Sequence, residues 1–184
     1  MQAISPKPVK FFVAALFSDP DRLRRACTLL EKQFGVTDLI SADFSFDVTD
    51  YYHAEMGRPI WRRLLAFQPL RLPDDLAPSK IRTNQIEIDL AVEGQRRVNL
   101  DVGYVDFDKV VLASAKYGIH KIYLAHGIYA DLALHYEKGR FLPYPWAFPD
   151  FRSELYHPFF LNLRTLYKAQ IKEYPQAANK KGTA

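Results

Sequence analysis

Between Asn99 and Gly139 the chain mixes Tyr, His, Lys, Asp and Gly into a stretch that otherwise alternates like β-strand. Strands keep such residues for a site or for a wetted face. Lys109, Lys116 and Lys121, with His120 between the last two, could together hold a phosphate or a carboxylate. A neighbouring carboxylate would bring His120 into the physiological range as a proton carrier, and Asp131 belongs to the same run. Tyr123 and Tyr129 flank them and could stack on a ligand. The same cations on exposed strands also serve solubility and edge protection, without any ligand.

Three smaller groups carry related chemistry. Asn99 and Asp101 share one strand face, and Gly103 beside Tyr104 permits close approach by a ligand; Asx side chains also stabilise their own turns. Lys80, Thr83, Asn84 and Glu87 are spaced by three, four and seven, which on a helix is one stripe and could line a pocket or face solvent. Asp50 and Glu55 bracket Tyr51 and Tyr52, and two carboxylates facing one centre could hold Mg²⁺ or divide acid and base roles. A capped turn with tyrosines on the core rim is the simpler alternative.

Other chemistries find little to work with. His120, His126 and His135 lack the H-E-x-x-H spacing of a metal helix, and no metal set is assigned. No G-x-x-x-x-G-K-[ST] phrase is present to cradle phosphates. Ser114 lies between alanines without a nucleophile elbow. A single cysteine, Cys27, excludes an internal disulfide, and its helical spacing from Leu23 and Leu30 makes it a buried thiol. The net charge of +4 is mild. Arg62 with Arg63 and Arg96 with Arg97 read as solvated faces rather than the dense basic stripe of a double-stranded DNA binder. No run approaches the roughly 18 apolar residues of a membrane span, and no apolar leader is visible, so a reducing cytoplasm is the expected setting.

The elements that must position these residues follow from pattern. The 184 residues suit one domain over 1–172, with a polar tail over 173–184 expected to be disordered. Val9 to Phe17 is a continuous apolar run, hence a buried strand. Asp19, Pro20 and Asp21 start a helix that Gly35 closes. A second strand is expected from Leu39 through Val48, completing a β-α-β opening with adjacent strands. Leu64 to Leu72 reads as a third strand. Ala77 to Glu93 alternates at Ile86, Ile88, Leu90 and Val92 like a strand, yet its length, charge and closing Gly94 suit a helix. Arg97 to Val105 and Val110 to Lys116 are strands. His120 to Glu137 is too long for one strand, and Gly127 marks a break. Phe141 to Phe151, with three prolines, reads as an extended loop, and a last helix runs from about Pro158 to Ile171.

Several phrases resemble an uncharacterised bacterial family, domain of unknown function 4416. They are Thr49-Asp50-Tyr51-Tyr52 with Glu55-Met56-Gly57, Lys80 with Thr83-Asn84 and Glu87, and Val98-Asn99-Leu100-Asp101 with Gly103-Tyr104. Val111-Leu112-Ala113 with Lys116, His120, Ile122-Tyr123-Leu124, Gly127-Ile128-Tyr129-Ala130 and Pro149-Asp150 continue the likeness, which runs from Phe12 to Lys168. Val102 stands where the family favours Pro, which would loosen the turn after Asn99. The resemblance supports helix over 77–93 and supplies no activity.

The expected fold is α+β: a β-α-β start, a mainly antiparallel sheet with helices on one face, and a ferredoxin-like core with an added β-meander as the specific form. Three functions are open. A small anionic ligand, phosphorylated or nucleotide-like, would be held by Lys116, Lys121, Asn84, Asn99, Glu87, Asp50 and Glu55, stacked by Tyr104, Tyr123 or Tyr129, and acted on through His120, Asp101 or Asp131. Single-stranded RNA could stack on exposed Tyr and Lys of the sheet. A non-catalytic assembly role would show as a large exposed apolar patch.

Overall fold

In the computed structural model, which describes residues 2–174, β1 (Val9–Phe17) is the centre of the molecule. All nine of its residues are buried, because both its edges are paired and both its faces are covered. Asp19 caps α1 (Pro20–Phe34) by accepting from the backbone N–H groups of Asp21 and Arg22 at 2.9 and 3.1 Å. Two short strands follow, β2 (Thr37–Ile40) and β3 (Phe44–Ser45), where one strand is expected. The chain bends between them as it passes along β4 (Trp61–Arg71), with which both pair. A helical turn α2 (His53–Met56) lies between β3 and β4.

After β4 comes α3 (Leu76–Asp89), which resolves the ambiguous segment as helix. The apparent period of two breaks down in space: Ile86 is buried whereas Ile88 is 64% exposed. β5 (Val98–Val105), β6 (Lys109–Ser114), β7 (Ile122–Ala125), β8 (Ile128–Glu137) and β9 (Arg140–Pro143) complete the sheet. The break at Gly127 is the turn between β7 and β8, and Lys138-Gly139 form the tight turn into β9. The segment read as a loop thus holds β9 and the short α4 (Pro149–Arg152). α5 (His157–Glu173) ends the described chain and takes in Glu173, the first residue of the expected tail; 175–184 lie outside the described residues.

The fold is α+β with a mainly antiparallel open sheet, ordered β2-β4-β1-β5-β6-β8-β7, with β3 beside β4 and β9 beside β8. β1 and β2 are therefore not neighbours: β4 lies between them, and α1 crosses over it. In the same way α3 joins β4 to β5 across β1. Both crossover helices sit on one face, where Leu23, Ala26, Leu30 and Phe34 of α1 and Leu76, Ala77 and Ile86 of α3 meet Phe11, Val13 and Ala15. α5 extends the expected one-sided arrangement by covering the other face, packing Phe159, Phe160 and Leu163 on Phe12, Ala14, Leu64 and Leu112.

One irregularity prepares the site. β5 has eight residues, yet it pairs with β6 only at Gly103, Tyr104 and Val105. From Val102 back to Val98 the two strands part, and the sheet forks. At the start of the fork β5 and β6 are so close that a Cβ on Gly103 would lie 2.4 Å from the Val111 carbonyl oxygen. Gly103 therefore serves strand packing, not the ligand approach its place in the sequence suggests. Tyr104 likewise turns into the core, 6.2 Å from the Phe11 ring.

Candidate functional site

Leu100 shows what the fork demands. Its backbone N–H and C=O face the gap where β6 would have paired them, and unpaired buried backbone groups are costly. Two side chains of α3 take the place of the missing strand: Glu87 Oε1 accepts from the Leu100 N–H at 2.7 Å, and Lys80 Nζ donates to the Leu100 carbonyl at 2.9 Å. Seven residues on a helix are close to two turns, so the two side chains leave the same face. The polar stripe of α3 is thus buried, and Thr83 on it donates to the Lys80 carbonyl.

From this pair an alternating chain of charge crosses the end of the sheet. Arg96 grips Glu55 through two bonds of 2.6 and 2.7 Å and reaches Glu87 at 2.9 Å. Lys80 lies 3.7 Å from Glu87 and 3.6 Å from Asp101. Arg62 of β4 lies 3.2 Å from Asp101 and 3.0 Å from Asp150 at the start of α4. Asn99 links the two halves, accepting from Arg96 and donating to Asp101. Arg62, Lys80, Glu87 and Asp150 are buried, and buried charges persist only when paired and hydrogen-bonded, as this alternation makes them.

The titration of the carboxylates follows. Burial alone would raise Asp101, but the neighbouring Lys80 and Arg62 outweigh it and hold the carboxyl below its ordinary value. Glu87 is raised, because its burial exceeds the pull of Lys80, Leu100 N–H and Arg96. The bidentate Arg96 holds Glu55 low.

The opposite wall is built from β6, β8 and the turn before β7. Asp131, opposite Leu112 in the β6–β8 register, is 4% exposed. Its carboxylate lies 3.4 Å from Lys121 Nζ and 3.6 Å from His120 Nε2. Lys121 also donates to Ser114 Oγ at 2.8 Å. His120 stacks on Trp146 with ring centres 5.3 Å apart, which fixes the plane of its imidazole. Lys116 donates to the Tyr51 hydroxyl at 2.6 Å, and its ammonium lies 4.4 Å from that ring centre. This contact lowers the Tyr51 phenol below its ordinary value.

Floor and wall enclose a cavity of about 700 Å³ in the fork. Five basic side chains line it (Arg62, Lys80, Arg96, Lys116, Lys121) and four acidic ones (Glu87, Asp101, Asp131, Asp150). Asn84, Asn99 and Ser114 add neutral polar groups, while Phe46, Tyr51, Tyr52, Tyr117 and Phe148 supply ring surface. Among the described residues no three His, Cys, Asp or Glu side chains gather as a metal ion would require.

The sequence-derived candidates divide accordingly. Asn84, Glu87, Asn99, Asp101, Lys116, Lys121 and Asp131 all line the cavity. Glu55 joins it through Arg96, and His120 through Asp131. Asp50 does not; it is 87% exposed and pairs with Arg58 and His53. Tyr123 and Tyr129 do not line the cavity; they face each other across β7 and β8 with rings 5.4 Å apart, and the Tyr129 ring lies 6.0 Å from that of Tyr117 in the lining. Lys109 is at the other end of β6, paired with Asp106.

Arg62, Arg96, Asp150, Tyr117 and Phe148 also line the cavity, although in the sequence the two arginines read as solvated faces and the other three carried no site role. Arg62 is 3% exposed, so it is not part of a solvated face. The available signal was its place in a strand, since Arg62 has the same parity as the buried Leu64 and Ala66.

No helix among the described residues is long and apolar enough to cross a membrane. No curated protein and no solved structure matches the chain. A family profile does, over residues 7–167, which take in both strands of the fork, α3 and α4, so that every wall of the cavity falls inside the match. The chain belongs to that family, described as Domain of unknown function (DUF4416).

Proposed function

We propose that the fork cavity binds a small anionic molecule, phosphorylated or nucleotide-like, with its negative group between Lys116 and Lys121. One observation carries this reading. Of the five cations lining the cavity, Lys116 alone has no carboxylate within ion-pair distance among the described residues, while Arg62, Lys80, Arg96 and Lys121 each have one or more. An ammonium held only by a neutral phenol is the natural partner of an incoming anion. Its neighbour Lys121 shares a single carboxylate with His120. The volume suits a metabolite-sized ligand, since such sites span roughly 300–1,000 Å³.

The test is a thermal-shift and calorimetric screen of the purified protein with inorganic phosphate, nucleotides and sugar phosphates. A ligand at about a hundred times its dissociation constant stabilises the fold by roughly 2.7 kcal/mol. The stabilisation should be lost in Lys116→Ala with Lys121→Ala. A hit that survives both substitutions, or no hit with any anion, overturns the assignment.

A second reading rests on β7. This edge strand and the turn before it expose Ile119 (93%), Ile122 (61%), Tyr123 (59%) and Leu124 (40%), a patch that fits an assembly role. Sedimentation over a concentration series, with Ile122→Lys as the control, tests it: a monomer at every concentration counts against it.

A further inference from the structure

We infer that the cavity's ligand is a hydroxylated anion, its negative group on Lys116 and Lys121 and its hydroxyl groups on the Asp101 carboxylate. The inference rests on the anion-binding reading above and adds the chemistry of the ligand's other end.

Of the floor carboxylates that line the cavity, Asp101 is the most accessible. Its side chain is 25% exposed, against 5% for Glu87 and 5% for Asp150. Both hydrogen bonds that it accepts, from Arg62 and Asn99, end on Oδ2. Oδ1 accepts none from the described residues; its nearest cation is Lys80 Nζ at 3.6 Å. An ionised carboxylate oxygen offers two acceptor lone pairs, so Oδ1 has capacity for a donor arriving through the cavity. Asn84, one turn from Lys80 on α3, presents its amide to the same space with no side-chain hydrogen bond to another described residue.

The charge balance selects the kind of donor. Arg62 and Lys80 already compensate Asp101, and a third cation would meet both of them at short range. A ligand ammonium therefore gains little on this floor. A hydroxyl brings no charge, donates to an ionised acceptor, and can accept from the Asn84 amide. Hydrogen bonds to charged groups are the stronger kind. On the wall the balance is reversed, with the two ammonium groups of Lys116 and Lys121 set against the single carboxylate of Asp131. A polyol phosphate, including the ribose phosphate of a nucleotide, matches both surfaces; an alkyl phosphate matches one.

Calorimetric titration of the full chain separates the two levels with four probes: inorganic phosphate, butyl phosphate, ribose 5-phosphate and phosphoethanolamine. The expected order places ribose 5-phosphate about tenfold to a hundredfold tighter than butyl phosphate. Phosphoethanolamine should bind no better than butyl phosphate, and Asp101→Asn should collapse the difference between the ribosyl and butyl esters. If phosphate and butyl phosphate bind but ribose 5-phosphate has no advantage, the hydroxyl assignment is overturned and the anion site stands. Phosphoethanolamine as the tightest ligand would replace hydroxyl by ammonium recognition and overturn it too. Failure of every phosphate overturns the anion site itself. Because the comparison of probes is made on the unaltered protein, it holds even if Asp101→Asn does not fold.

Discussion

Leu100 explains the presence of Lys80 and Glu87 better than any catalytic role does. Their first duty is to satisfy a backbone carbonyl and N–H that the forked sheet leaves open, and the charge chain from Glu55 to Asp150 grows out of that need. The chain has a pH signature. Glu55 has an ordinary value of 4.5 and is lowered on folding, mainly by its hydrogen bonds from Arg96. A carboxylate lowered in the folded state contributes stability that is present above its unfolded value and is lost as pH falls through the folded one. Asp101 acts in the same sense from an ordinary value of 3.8. Glu87, raised by burial, acts in the opposite sense and loses stability as pH rises past 4.5. The urea midpoint of the protein should fall as the pH is lowered below 4.5, and Glu55→Gln should show a shallower fall. An identical acid slope in wild type and variant would mean that the Arg96–Glu55 pair does not couple to folding.

At the scale of elements, the fork is made by where β5 and β6 are allowed to touch. Gly103 brings them together above it, and the α3 side chains keep the gap satisfied below. Gly103→Ala would push a methyl to 2.4 Å from the Val111 carbonyl and 3.0 Å from the Leu112 and Phe12 side chains. Overpacking of this kind costs about 1–3 kcal/mol, and a contact with backbone belongs at the upper end. Chemical denaturation should therefore show a loss near 3 kcal/mol, with weaker ligand binding as the fork shifts. A variant as stable as the parent would show that the strands can separate further without cost. α3 repeats the point made by Gly103: its inward stripe is polar because it faces a gap, so the amphipathic pattern that usually marks a helix is blurred.

For the whole molecule, stability should be graded outward from β1. That strand is buried along its full length and paired on both sides, while β7 is paired on one side only and exposes Ile122, Tyr123 and Leu124. Native-state hydrogen exchange should find the slowest amides in β1 and its partners β4 and β5, and the fastest strand amides in β7. Comparable protection in β7 would mean that its edge is covered in solution, as the assembly reading requires. Because β1 and the interior of β4 are apolar runs and β5 carries Val98, Leu100 and Val102 at alternate positions, the core elements were legible in the sequence, as was α1 from its Asp19-Pro20 start. Pattern is a local property, and one buried strand or one capped helix needs no distant partner to be recognised. Lys116, Lys121, Asp101, Asn99 and Asp131 were legible for a related reason: polar residues within strand-like stretches stand out against their neighbours. The position of β4 between β1 and β2, the fork and the burial of Arg62 were not. Each depends on a contact between residues far apart in the chain, as in the 88-residue separation of Arg62 from Asp150. A sequence shows a charge but not the countercharge that lets it be buried, and here tertiary structure alone decided which charges pair and which, at Lys116, has no carboxylate partner among the described residues.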